Sequence, residues 1–206
     1  MDVAASLNGA LRRVPAWAVC GLGLVPLAIL IWQALSGALG IDPVKTLEHQ
    51  LGLTALQLLL AGLLVTPLRR RAGINLLRYR RAIGLLAFLY AALHLLVWVL
   101  LDLQLRWSEI GADLVKRPHI IAGMLAFACL VPLAATSNAW SVRRLGAAGW
   151  QRLHRLAYVA VLLGALHYLL LVKVWSAEPV LYATAAAALV ALRWLWRRNR
   201  VGPLRA

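Results

Sequence analysis

The sequence predicts an all-α integral membrane protein: a six-transmembrane-helix bundle forming a single domain over residues 1–206, with both termini cytoplasmic. Three observations predict it. First, 63% of the 206 residues are apolar and 14% are charged, whereas soluble domains run to roughly 45–50% and about 25%. Second, the chain holds charge-free runs near the length a helix needs to cross a bilayer, about 20 residues at a rise of about 1.5 Å each. Third, the basic residues fall in alternate connecting segments, the pattern by which a multi-span chain is oriented with its positive loops inside. The runs show no period-2 alternation, so a membrane barrel is not indicated.

The first helix is expected over 14–38, within a run that carries no charge from 14 to 41. Arg12 and Arg13 ahead of it look like the start of a secretory leader. The apolar run is longer than the ~7–15-residue core of such leaders, and further spans follow, so it reads as a retained span. The second helix, 49–68, lies between Glu48 and the triplet Arg69, Arg70 and Arg71. The third, 82–101, lies between Arg81 and Asp102. The polar stretch 102–117 reads as a loop, and the fourth helix follows over 118–137. The fifth, 150–172, requires Arg152 and Arg155 to snorkel, and the sixth, 179–196, requires the same of Arg193.

This threading puts 17 of the 22 basic residues on the side of the termini, with Asp2 as the sole acid there. The other five basic residues share the opposite side with six acids. The net charge of +15 is therefore a topology signal and an attraction for anionic lipid of an inner (plasma) membrane, and does not indicate nucleic acid. Cys20 and Cys129 lie in separate apolar runs without C-x-x-C spacing, so a zinc ribbon, a redox pair or covalent haem attachment is not indicated.

The histidines carry the chemistry. His94 and His167 each lie inside a charge-free run, and a strongly polar side chain at membrane depth is costly enough to require a reason. His94 lies roughly 18 Å from the inner start of its helix, past the middle of a ~30 Å hydrocarbon core. His167 stands shortly before the outer end of the fifth helix, which runs in the same direction. Both imidazoles thus fall in the outer half at one depth. That is what a six-coordinate b-type haem held between helices requires; the plainer reading is a pair of unrelated interhelical hydrogen bonds.

His154 lies roughly 20 Å closer to the cytoplasm along the fifth helix, far enough for a second haem. Two features set it apart. A straight helix would turn its side chain off the face of His167. Counting the same distance back from His94 reaches Arg80 and Arg81, with no fourth intramembrane histidine. His154 is a third candidate ligand with a non-histidine or open position opposite, or a contact to a flavin, a quinone or a haem propionate. Arg78, Arg80 and Arg81 serve as positive-inside residues, and their forked guanidinium groups also suit an FMN phosphate or a haem propionate. His49, at the outer start of helix two, is a candidate for a quinone or partner site; His119 reads as an interfacial polar residue. Trp17, Trp107, Trp150 and Trp196 sit near span ends as an aromatic belt. No G-x-G-x-x-G or Walker pattern occurs, so electrons have to come from a separate partner or a diffusing carrier.

The segments DPVKTLEHQLGLTAL, TPLRR, RRAIGLLAFLYAALHLL, KRPHIIAGMLAF and RLGAAGWQRLHRLAYVAVLLGALHYLLLVK resemble the haem-binding membrane subunit of the bacterial periplasmic methionine-sulfoxide reductase system, a branch of the ferric-reductase-like transmembrane domains. The resemblance runs from about Gly40 to the last helix. It implies haem b (one or two), an associated FMN, and electron flow from the quinone pool to a periplasmic molybdopterin subunit that repairs oxidised proteins. It places the haem-ligand histidines on His94, His154 and His167, the family's basic pair on Arg80 and Arg81, and the histidine after D-P-V-K on His49. His119 stands where that pattern has an aromatic residue. Two other functions fit the same spans: a ferric reductase or oxidase acting directly on its acceptor, and a transporter whose histidines relay protons.

Overall fold

The computed structural model describes residues 3–172 and 176–198. Its elements are α1 (Val3–Arg13), α2 (Ala16–Leu35), α3 (Pro43–Arg71), a 3-10 turn (Leu77–Tyr79), α4 (Arg80–Val97), a π turn (Trp98–Asp102), α5 (Trp107–Lys116), α6 (Pro118–Ala135), α7 (Ala139–Leu153), α8 (Leu156–Leu171) and α9 (Ala177–Arg198). No strand occurs among the described residues. Five helices are long and apolar enough to cross a membrane, or up to six if the bent pair α7–α8 counts as one span. The charges of Asp2, Lys173, Arg200 and Arg205, part of the sequence count, lie outside the described residues.

Local chemistry sets the helix starts. Asp42 precedes Pro43, and its carboxylate accepts the amide of Lys45 at 3.0 Å. An acid cap followed by proline at the first helical position satisfies orphan N–H groups of α3 and presets its φ. Asn138 caps α7, accepting the Ser141 amide at 2.8 Å. The loop after α3 turns through Gly73 at φ 68°, a left-handed conformation that favours glycine.

Three elements differ from the sequence expectation. The stretch 102–117, expected as a loop, contains the helix α5. Its polar composition hides an amphipathic face: Ile110 is buried beside Trp98, Leu103 and Ile120, while Trp107 and Val115 stay exposed. A helix of 10 residues is too short to span a bilayer, so no long apolar run marks it in the sequence. The second difference is α1, ahead of the first span. Asn8 holds it to the α3–α4 loop, donating to the Gly73 carbonyl at 2.9 Å and accepting the Asn75 amide at 2.8 Å. The third is the fifth helix, expected unbroken over 150–172. It stops at Leu153 and restarts at Leu156, and the two parts are bent by 40° at the break.

Packing inverts the soluble pattern. Trp17, Trp32 and Leu35 are exposed, and α2 buries only Leu30. The tightest helix contacts are built on small residues: Ala87, Ala160 and Ala186 are fully buried and Ala165 nearly so. Small side chains let helices approach closely where lipid removes the hydrophobic drive for association. The most extensive pairings are α3 with α4 and α6 with α8, and these four helices carry the histidines in question.

Candidate functional site

One site forms where His94 of α4 comes up against His167 of α8. The rings of His94 and His167 lie with centroids 6.0 Å apart at an interplanar angle of 78°. Each ring is fixed in the same manner. His94 Nδ1 lies 2.8 Å from the carbonyl oxygen of Glu48 on α3, and His167 Nδ1 lies 2.6 Å from that of His119 on α6. A carbonyl only accepts, so each Nδ1 carries the proton and donates it. Nε2 is then the nitrogen left with a lone pair, the tautomer of a metal-ligating histidine with its second nitrogen anchored.

The arrangement fits a haem and does not fit a bare ion. Among the described residues, no group of three or more His, Cys, Asp or Glu side chains could hold a metal. A porphyrin carries four nitrogens of its own and asks the protein for two axial ligands. Two metal–nitrogen bonds of about 2 Å, with about 1 Å from each nitrogen to its ring centre, put the centroids about 6 Å apart. The observed separation matches. The π turn begins four residues after His94, and Trp98 N–H is shared between the carbonyls of His94 and Leu95; such turns shift helix register and cluster at functional positions.

Two further histidines flank this pair. His119 lies with its ring 6.0 Å from that of His167. His49 is exposed on α3, its ring 5.8 Å from that of Tyr168, and Tyr168 in turn lies 6.0 Å from Tyr182. Gln57 donates to the Tyr182 hydroxyl at 2.8 Å, tying α3 to α9. Ion pairs occur at this end of the bundle: Lys45 bridges Glu48 at 3.2 Å and Asp102 at 2.7 Å, and Arg117 meets Asp113 at 2.8 Å.

His154 is not brought to the pair. It lines a separate cavity of about 830 Å³ whose wall includes Arg70, Arg80, Arg81, Arg155 and Arg193 and, among the described residues, no acidic one. Its ring stacks on Trp150 at 3.7 Å, and its Nε2 lies 3.1 Å from the Thr136 hydroxyl. That hydroxyl has one proton, which goes to the Pro132 carbonyl at 2.6 Å. Nε2 of His154 must then be the donor to Thr136, and Nδ1 keeps the lone pair. His154 itself stands at the break between α7 and α8, where the two helices are bent by 40°.

Of the three arginines singled out from the sequence, Arg80 and Arg81 border this cavity. Arg78 does not: it donates to the carbonyls of Leu11 and Arg12 at 3.4 and 2.9 Å, at the C-terminal end of α1. Cations suit that end because its carbonyls lack helical partners.

Sequence reasoning passed over Arg193 except as a snorkelling residue. It is 7% exposed, and its Nη2 donates to the Leu63 carbonyl at 2.6 Å. The reason lies four residues along α3. Pro67 has no N–H to give, which leaves the Leu63 carbonyl without its helical donor. Arg193 fills that vacancy from α9, donates by Nη1 to the Tyr158 hydroxyl at 3.3 Å, and leaves Nε without a partner at the cavity wall. A proline inside a span signals an orphan carbonyl in any sequence, but not which helix answers it.

Residues 49–165 match the family described as Ferric reductase like transmembrane component. The match takes in His49, His94 and His154 and stops just short of His167. Among curated proteins, the chain is similar to the Protein-methionine-sulfoxide reductase heme-binding subunit MsrQ of Brucella ovis, of Brucella suis and of Brucella melitensis. Each is 51% identical over 184 residues, which is 89% of this chain and 81% of the relative.

Proposed function

Given that the chain belongs to the ferric-reductase-like transmembrane family, and within it to the MsrQ heme-binding subunits of protein-methionine-sulfoxide reductase, we propose that it carries electrons across the bacterial inner membrane. The donor is the respiratory quinone pool. The acceptor is a periplasmic, molybdopterin-containing methionine-sulfoxide reductase that repairs oxidised proteins. One observation carries the reading: two imidazoles face each other, each with Nδ1 committed to a helix carbonyl and Nε2 left to ligate.

A b-type haem bound between His94 and His167 would supply a one-electron relay. The chain's own work is to hold the two ligands at one depth, fix their tautomer and exclude water around them. At the inner end, Arg80, Arg81 and Arg193 line a cavity sized for a planar anionic group, and ligand pockets of this kind run to about 300–1,000 Å³. That group is a second haem, with its propionates on the arginines and His154 as its ligand, or FMN held by its phosphate. His49, outside the ligand pair, borders the exchange site for quinone or the periplasmic partner. Both termini face the cytoplasm, which puts the arginine-lined cavity on the inner side.

The optical spectrum of the purified protein, oxidised and then reduced with dithionite, tests the reading. A b-type spectrum is expected, lost or strongly altered in His94→Ala and in His167→Ala. Its survival in both variants would end the assignment of the pair. A proton-relay transporter would show no chromophore, and a direct reductase would reduce its acceptor at full rate without the periplasmic partner. Haem stoichiometry in wild type and His154→Ala decides between one haem and two.

A further inference from the structure

Each ligand histidine rests against a glycine, and the two seats are built alike. On α3, the Glu48 carbonyl accepts from His94 Nδ1, and Gly52 stands four residues on; a Cβ built there would lie 3.0 Å from that same Nδ1 and 3.1 Å from Cε1. On α6, the His119 carbonyl accepts from His167 Nδ1, and Gly123 stands four residues on; its Cβ would lie 2.8 Å from Nδ1 and 3.1 Å from Cε1. The spacing has a physical cause. In a helix, the carbonyl of residue i already accepts from the N–H of residue i+4. A ring that is to add a second bond to that carbonyl has to lie over residue i+4, where any side chain would occupy the same space.

We infer that Gly52 and Gly123 are positioning residues for the two axial ligands, a matched pair of bare helix seats that press each imidazole onto its carbonyl. The inference rests on the haem reading above. The seats do two things. They set each ring's rotation, and with it the 78° between the planes. They also hold the Nδ1–H···O=C bond short, which raises the basicity of the ligating nitrogen and favours ferric over ferrous iron. A methyl group at either seat pushes the ring off its carbonyl and removes part of that preference.

Gly52→Ala and Gly123→Ala are compared with wild type and with Gly164→Ala. The control sits on α8, where an added Cβ meets only Leu56 at 3.8 Å. Redox titration is expected to give about a tenfold loss of ferric preference in either seat variant, a rise of about 59 mV for a one-electron couple. The low-spin ferric electron paramagnetic resonance signal is expected to change as the ring planes turn, with the control unchanged in both readings. Potentials and spectra equal to wild type in both seat variants would overturn the inference. A seat variant that fails to assemble leaves a second measurement on wild type. The two Nδ1 protons, read by electron–nuclear double resonance after transfer to D2O, are expected to resist exchange, and free exchange of both would also overturn it. A wild-type protein that binds no haem would sink the functional reading itself, an outcome distinct from either of these.

Discussion

At the scale of single residues, a hydrogen bond decides what each histidine can do. His94 and His167 spend Nδ1 on carbonyls and keep Nε2, whereas His154 spends Nε2 on Thr136 and keeps Nδ1. The three imidazoles are therefore of two tautomers. Thr136 is the orienting group for the third, so Thr136→Val frees the His154 ring to rotate off Trp150. Loss of such a partner commonly weakens ligation about 10–100-fold. The expected outcome is lower occupancy of the cavity beside His154 in a cofactor titration, with the spectrum of the His94–His167 pair unaltered. An equal loss at both sites would show that Thr136 only supports the fold. The exposed His49 is open to a milder test. His49→Ala should leave the haem spectrum in place and slow electron delivery to the periplasmic partner; an unchanged rate removes it from the exchange site.

At the scale of elements, the proline in α3 and the arginine in α9 act as one device. Pro67 removes a donor from the helix and Arg193 returns it from a neighbour. Arg193→Leu strands the Leu63 carbonyl and should cost about 1–3 kcal/mol of stability. Pro67→Ala restores the missing N–H and should recover part of that loss in the double variant. Thermal or denaturant unfolding in detergent measures both, and strictly additive effects would disprove the coupling. The elements were legible in unequal measure. The apolar spans announced themselves because burial in lipid demands long uncharged runs, and α2, α3, α4, α6 and α9 stand where those runs are. The short amphipathic helices α1 and α5 did not, since neither is long enough to register as a span. The break at His154 did not either: 150–172 reads as one helix, and the structure bends it by 40° between Leu153 and Leu156.

At the scale of the whole molecule, the two ends of the bundle differ in chemistry. One gathers arginines around a cavity whose wall, among the described residues, holds no acid, and the other carries lysine and arginine ion pairs with acids. The proposed orientation puts the first end in the cytoplasm. It predicts that a fluorescent protein fused to either terminus folds and glows, while Gln104→Cys is labelled by an impermeant thiol reagent added from the periplasmic side. Labelling of Gln104→Cys only after the membrane is permeabilised would invert the topology. The same asymmetry predicts docking of the acceptor at the histidine-bearing end, so substitutions there, and not around the arginines, should change its binding.

The sequence by itself marked the chain as a multi-pass membrane protein, located its long apolar helices and singled out the histidines inside them. Composition and the cost of polar groups in lipid act locally, so a linear reading can carry them. Depth along a helix is likewise linear, and it placed His94 and His167 together. Only the tertiary structure decided what surrounds them: that His154 stacks on Trp150 beside Thr136, that Arg78 caps α1, that Arg193 answers Pro67, and that Gly52 and Gly123 lie under the rings of His94 and His167. Those facts depend on which helix faces which, and on side chains separated by tens of residues meeting within a hydrogen bond's reach. No local preference encodes that meeting; close packing of the helices creates it.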